Sequence, residues 1–168
     1  MNRILEIQRE LREVYAAQGP AGVDIPLSIR SQLFRTFARN YAAAAKLVSE
    51  GTPSLWLVSL QLAGQSVELA LKACISVSGT QPPKHHQLVE LYCLVANQGF
   101  EISEREQALV VHLEHFYSRD LATETRFKAR YPTDRDEALG GAVPDNSDLL
   151  RIVESLCKQA ENRNAKEA

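Results

Sequence analysis

The sequence predicts an all-α fold, an up-and-down bundle of about five to six helices around one long central helix, and three observations carry that expectation. A mostly apolar run from Leu55 to Val77 keeps helical spacing throughout. Residues that stop or start helices divide the chain at Gly19-Pro20, Gly51, Thr52-Pro53, Gly79 and Gly99. No stretch alternates apolar and polar residues as a half-buried strand does, and no internal repeat is evident. With 168 residues, 45% of them hydrophobic, the chain suits one core rather than two. Residues 1–168 therefore read as a single domain, with residues 1–25 an N-terminal helix and linker.

The first helix runs from about Arg3 to Gln18, ends at Gly19-Pro20, and leads into a linker from Gly22 to Ile25. The second spans about Pro26 to Glu50 and stops at Gly51, and its stripe of Ile29, Leu33, Phe37, Tyr41, Ala44 and Val48 is expected to pack inward. The third opens with Thr52 as N-cap and Pro53 at the first helical position. It closes before Gly79, which makes it roughly 40 Å long at ~1.5 Å per residue. Within it Trp56, Leu60, Ala63, Val67, Ala70, Cys74 and Val77 repeat at steps of four and three, and Leu55, Leu62 and Leu69 widen the arc, so neighbours must cover most of it.

The fourth helix follows Pro82-Pro83 and runs from about His86 to Asn97, with Gly99 as its stop. Ser103 and Glu106 form an S-x-x-E capping box that starts the fifth, where Leu109, Leu113 and Phe116 supply the apolar stripe. From about Thr123 to Val143 the helical period fails, and Pro132, Gly140, Gly141 and Pro144 punctuate a long surface connection. The last helix begins near Asp145-Asn146 and runs to about Asn162 with Leu149, Ile152, Val153 and Leu156 inward.

Charge and composition narrow the function. A formal net charge of -2, with 24% charged residues, gives no whole-molecule field to hold nucleic acid or an anionic membrane, so any such binding is local. The first turns, Met1 to Glu6, carry charge where a signal peptide would be uninterruptedly apolar. The Leu55–Val77 run is broken by Gln61, Gln65, Glu68 and Lys72, too polar for a lipid-exposed span. Three widely separated cysteines, Cys74, Cys93 and Cys157, suit neither a disulfide framework nor a CxxC metal site. The expectation is a cytoplasmic protein with no cofactor, no metal and no membrane contact.

Four groups of residues could carry chemistry. Gln61, Gln65, Glu68 and Lys72 recur at helical spacing on the long helix and read either as a solvated stripe, with Glu68 and Lys72 an i,i+4 pair, or as a polar seam lining a cleft or dimer interface. Arg105 and His112 have six residues between them, so both project from one helix face about 10 Å apart. In a metal-free RNA cleavage an imidazole could move the 2′-hydroxyl proton while a guanidinium stabilises the phosphorane. The plainer alternative puts Arg105 in a capping turn and leaves His112 on a helix flank. His112 and His115 lack a third ligand for a metal, and His85 and His86 could simply cap the fourth helix. Last, Arg126, Lys128 and Arg130 interleave with Phe127 and Tyr131, a composition that grips phosphate and stacks bases. Asp120, Glu124, Asp134, Asp136 and Glu137 flank that segment and nearly neutralise it, so a loop pinned by internal ion pairs is the competing reading.

Over roughly residues 30 to 160 these features, in their order, resemble the HEPN family. Glu68-Leu69-Ala70-Leu71-Lys72 is similar to the family's E-x-x-L-K central helix, and His86-Gln87-Leu88-Val89-Glu90-Leu91 to its H-D-L-x-x-L, with Gln87 in place of Asp. Arg130-Tyr131-Pro132, following Phe116-Tyr117, looks like the family's arginine-tyrosine-proline element. The resemblance implies an up-and-down bundle, commonly a homodimer, that binds RNA or a nucleotide and often partners a minimal nucleotidyltransferase in toxin–antitoxin systems. Many relatives are ribonucleases using R-x(4–6)-H. Arg105 to His112 fits that spacing here, with Glu106 where a polar Asn commonly follows the arginine. The ligand-binding residues expected on this basis are Glu68, Lys72, His86, Arg126, Lys128, Arg130 and Tyr131.

Overall fold

The structure, a computed structural model, describes residues 25–117 and 146–167. The expected helix from Arg3 to Gln18 and the connection holding Arg126, Lys128, Arg130 and Tyr131 lie outside the described residues. Five α-helices follow one another in the described residues: α1 (Leu27–Gly51), α2 (Trp56–Val77), α3 (Leu88–Asn97), α4 (Glu104–Tyr117) and α5 (Asn146–Glu167). There is no strand among the described residues, and the fold is the all-α bundle that the sequence predicts.

α2 is the axis and touches each of the other four helices. α1 and α5 pack on it and on each other, and α3 and α4 cover another side. From Ser66 to Val77 only Leu69 among its residues is not fully buried, because the near-continuous apolar sequence leaves no face to give to solvent. The core gathers Leu60, Val67, Leu71 and Ile75 from this helix, Leu88 and Leu91 from α3, Val110 and Leu113 from α4, and Leu149, Ile152, Val153 and Leu156 from α5, the inward set expected for the last helix.

The punctuation operates with some shifts. Gly79 and Gly99 both take left-handed backbone, φ 76° and 78°, which lets the chain turn sharply after α2 and α3 at no Cβ cost. The capping box forms: Glu106 Oε2 accepts from the Ser103 amide at 2.7 Å, and the Ser103 Oγ accepts from the Glu106 amide at 3.3 Å. The start of the long helix differs from expectation. Pro53–Leu55 makes a 3-10 turn that runs into α2 at Trp56, and the Thr52 side chain makes no capping bond. Thr52 contributes its carbonyl instead, accepting from the Leu55 amide at 2.9 Å to close the tighter i→i+3 ring.

A second difference concerns α1. The stripe expected to pack inward is turned toward solvent, with Ile29 49%, Leu33 41%, Phe37 48% and Tyr41 38% exposed. Ser31, Arg35, Ala38 and Ala45 are the buried positions. Small residues let the α1 and α2 backbones approach closely, and two serine hydroxyls, those of Ser31 and Ser59, find carbonyls across the contact. Ser31 Oγ donates to Ala73 O at 2.9 Å, and Ser59 Oγ donates to Ala45 O at 2.8 Å. Serines satisfied in this way cost little to bury. On its flank toward α5, Arg39 binds Glu154 through Nε and Nη2 at 3.0 and 3.2 Å and Glu161 at 2.5 Å, a forked arrangement that pulls the Glu161 carboxyl below its ordinary range.

Gly64 makes room for the Tyr117 side chain of α4. A Cβ at this position would overlap the Tyr117 ring, meeting Cδ2 and Cγ first, and Tyr117 is itself fully buried. Because that ring is boxed into the core, it cannot swing away as an exposed side chain would. Gly64→Ala is expected to lower stability by about 2 kcal/mol, within the range for overpacked cores. Urea denaturation checks this, with the midpoint falling while the slope stays unchanged.

Candidate functional site

α2 carries Gln65, Glu68 and Lys72 one turn apart, and their spacing puts them on one face. That face is not the solvated stripe that one reading of the sequence expects: Glu68 is 1% and Lys72 7% exposed. α3, the preceding turn and the end of α4 close over it and supply polar partners. Glu68 Oε1 accepts from Lys72 Nζ at 2.7 Å, and Oε2 accepts from the Tyr117 hydroxyl at 2.6 Å. His86 Nδ1 lies 3.0 and 2.9 Å from the two carboxylate oxygens. The Tyr117 hydroxyl is also 3.0 Å from Gln65 Oε1. Three side chains, Lys72, His86 and Tyr117, from three separated stretches of chain thus meet on one carboxylate.

The electrostatics follow from this crowding. Burial is the strongest single influence on the Glu68 carboxyl and pushes its pKa up, but the hydrogen bonds from Lys72, Tyr117 and His86 together outweigh it and hold the group below its ordinary value. An ionised carboxylate facing the imidazole makes Nδ1 the proton-bearing nitrogen of His86, the same orienting device by which carboxylates fix histidine tautomers elsewhere. His86 is half exposed at the rim of the cluster, while the Glu68–Lys72 pair lies beneath it.

α3 is started by its neighbours. Gln87 occupies the N-cap position without a side-chain capping bond. The carboxylate of Glu114, reaching over from α4, accepts from the Val89 amide at 2.9 Å and so serves one of the unpaired amides of the first turn. Burial pushes the Glu114 carboxyl up, against the pull of those amides. His85 Nδ1 accepts from the Gln87 amide at 3.3 Å, and its Nε2 lies 3.2 Å from Glu90, which matches the plain local role weighed for this residue.

The second polar grouping lies where the start of α4 meets the start of α5. Ser103, Arg105, Glu106, Leu109, Asp148, Arg151 and Ile152 line a shallow pocket of about 210 Å³. Arg105 Nη2 donates to Asp148 Oδ2 at 2.7 Å, and Arg151 donates to the other oxygen of the same carboxylate. Both guanidinium groups are largely exposed. His112 is exposed two turns further along the unbroken α4.

The structure therefore brings Glu68, Lys72 and His86 together, and places Arg105 and His112 on one helix away from them. The sequence places Gln65 in one stripe with Glu68 and Lys72, but gives Tyr117, Glu114, Asp148 and Arg151 no place in these groupings. One signal could have found Tyr117: a glycine inside an otherwise apolar helix implies close packing by a partner, and Gly64 lies one residue before Gln65. No such signal exists for Asp148, which is remote in sequence from Arg105. Among the described residues no cluster of three or more metal-ligating side chains occurs, and no helix is long and apolar enough to cross a membrane.

Removing the carboxylate of Glu68 strands the Lys72 ammonium in the core. Glu68→Ala is expected to cost about 3–5 kcal/mol and Tyr117→Phe about 1–3 kcal/mol in chemical denaturation. The lowered carboxyl also gives a pH dependence. Its contribution is fully present above the unfolded-state pKa of about 4.3 and is lost as pH falls through the lower folded value. Wild type should lose stability below about pH 4.3 more steeply than Glu68→Gln, and parallel acid profiles would show that this group does not titrate with folding.

Comparison with known proteins agrees with the motif order. A family model described as HEPN domain matches residues 31–164. No curated protein and no solved structure matches the chain.

Proposed function

Because this chain belongs to the HEPN domain family, we propose that it acts as a cytoplasmic homodimer that binds RNA or a nucleotide, and that it cleaves RNA without a metal through Arg105 and His112 in a toxin–antitoxin-like system. The observation that supports this most is the continuity of α4, which keeps Arg105 and His112 exposed and seven residues, hence about two turns, apart on one face. Their backbone positions lie roughly 10 Å apart, a separation that a second copy of the helix bridges by bringing its own arginine and histidine to the same phosphodiester.

Arg151 adds a second guanidinium beside Arg105, and a phosphate can replace Asp148 as their shared acceptor. In the reaction the His112 imidazole takes the 2′-hydroxyl proton, the 2′-oxygen attacks phosphorus, and the arginines stabilise the phosphorane. The imidazolium so formed returns that proton to the departing 5′-oxygen, giving a 2′,3′-cyclic phosphate and a 5′-hydroxyl. Arg126, Lys128, Arg130 and Tyr131 supply further phosphate and base contacts, and His86 extends them from the half-exposed rim of the Glu68 cluster.

Incubating the purified protein with mixed RNA in excess chelator tests the reading. Cyclic-phosphate products are expected, with the rate falling about 10²–10⁴-fold in His112→Ala. Absence of products, or an unchanged rate in that variant, overturns the catalytic role.

One observation favours a second reading, a non-catalytic module that partners a nucleotidyltransferase-like protein. Arg105 is already bound by Asp148, and Glu106 is committed to its capping box, so the motif is occupied by structural bonds. On that reading the chain co-purifies with such a partner when expressed with its native neighbours, and RNA stays intact. Recovery of the chain alone removes the support for it.

A further inference from the structure

Ile29, Leu33, Phe37 and Tyr41 follow one another at steps of four along the outer side of α1, each between 38% and 49% exposed. Side chains at that spacing form a continuous ridge inclined to the helix axis. Beside it Gln32, Thr36, Asn40 and Ala43 are exposed and uncharged, and their lower profile makes a groove that runs parallel to the ridge. The charges of this helix are directed elsewhere. Arg35 is buried, Arg39 binds Glu154 and Glu161 on α5, Lys46 pairs with Glu50 beyond the ridge, and Arg30 is half buried at its edge. An apolar patch that is rich in aromatic rings and poor in charge has the composition of an interface core.

We propose that this ridge is a self-association surface, on which a second copy of the chain packs its own α1 about a two-fold axis near Leu33 and Phe37. Charge and shape both select that occupant. Nucleic acid and anionic membranes are held by rows of cations, and none flanks this ridge. Ridge and groove lie side by side on one helix, so each copy offers what the other needs. The ridge of one enters the groove of its partner at the crossing angle of about −50° that i±4 ridges favour, and a two-fold axis closes the contact at two chains. With about 150–250 Å² on a large side chain, the ridge and its uncharged neighbours expose roughly 500 Å². A pair therefore removes about 1,000 Å² from water, the lower bound for a specific interface and the size of a reversible one.

This contact is separate from the α4 pairing of the proposed function and does not rest on it. Among the described residues α1 packs on α2 and α5 and touches neither α3 nor α4, so a copy seated on α1 uses a different face from the one that carries Arg105 and His112. Pairing through α1 alone gives two chains, and pairing through both faces gives four.

Sedimentation of the full chain from about 1 to 100 μM tests this. At the top of the range Phe37→Asp and Phe37→Lys are each expected to halve the wild-type mass, because each sets like charges together across the two-fold axis. A one-to-one mixture of the two variants should recover the wild-type mass, which only a surface that meets its own copy can do. Phe37 is half exposed, so far-UV circular dichroism should match wild type in both. If either variant loses helix, Thr36→Asp and Thr36→Lys, at an exposed position beside the same axis, carry the test. A wild type that sediments as one chain at 100 μM overturns the proposal, as does a mass unchanged in the charged variants or a mixture that stays dissociated. Val111→Asp, at a half-exposed position on α4, reads the other pairing independently, so failure of either contact is distinguishable from failure of the other.

Discussion

The Glu68 carboxylate is the point on which three separate parts of the fold converge. An ionised group at 1% exposure survives in a core only when donors compensate it on every side, and here Lys72, Tyr117 and His86 do so. Each donor belongs to a different stretch, so satisfying one carboxylate simultaneously sets the rotation of α2, the path of the turn into α3 and the C-terminal end of α4. Apolar packing alone is tolerant of small slides between helices, whereas a buried charge with directional donors is not. The cluster thereby fixes the register of the bundle as well as its stability.

That register reaches the candidate chemistry indirectly. Tyr117 anchors one end of α4 on Gln65 and Glu68, the capping box at Ser103 and Glu106 sets the other, and Glu114 between them serves the first turn of α3. A helix held in its first turn and twice in its last keeps Arg105 and His112 in a fixed orientation on the bundle. The HEPN-type sequence elements are therefore largely architectural in their visible contacts. The glutamate and lysine of the central helix and the histidine before α3 bind one another.

Much of this architecture is legible in the amino-acid sequence. Helix existence follows from apolar spacing and from Gly79, Gly99 and the Ser103–Glu106 box, because each of these acts locally and its physics is contained in a few neighbouring residues. Direction is what the sequence does not carry. The period of Ile29, Leu33, Phe37 and Tyr41 states that they share a face but not what that face meets, and the face that α1 gives to α2 is built from Ser31, Ala38 and Ala45 because close backbone approach there outweighs side-chain bulk. The same blindness applies to Gln65, Glu68 and Lys72: a polar row on an apolar helix reads equally as wet or as buried and paired, and the donors that decide it, His86 and Tyr117, come from distant sequence. The pairing of Arg105 with Asp148 escapes notice for the same reason.

The connection from α4 to α5 begins and ends on the same support. Tyr117 is fastened to Gln65 and Glu68, and Asn146 Nδ2 donates to Ser59 Oγ at 2.6 Å, so both anchorages sit on α2, about 9 to 14 Å apart along its axis. Closing a stretch of chain between two such moorings costs free energy that grows only with the logarithm of its length. Insertions, deletions or changes of charge in the sequence between Tyr117 and Asn146 therefore leave both moorings on α2 in place.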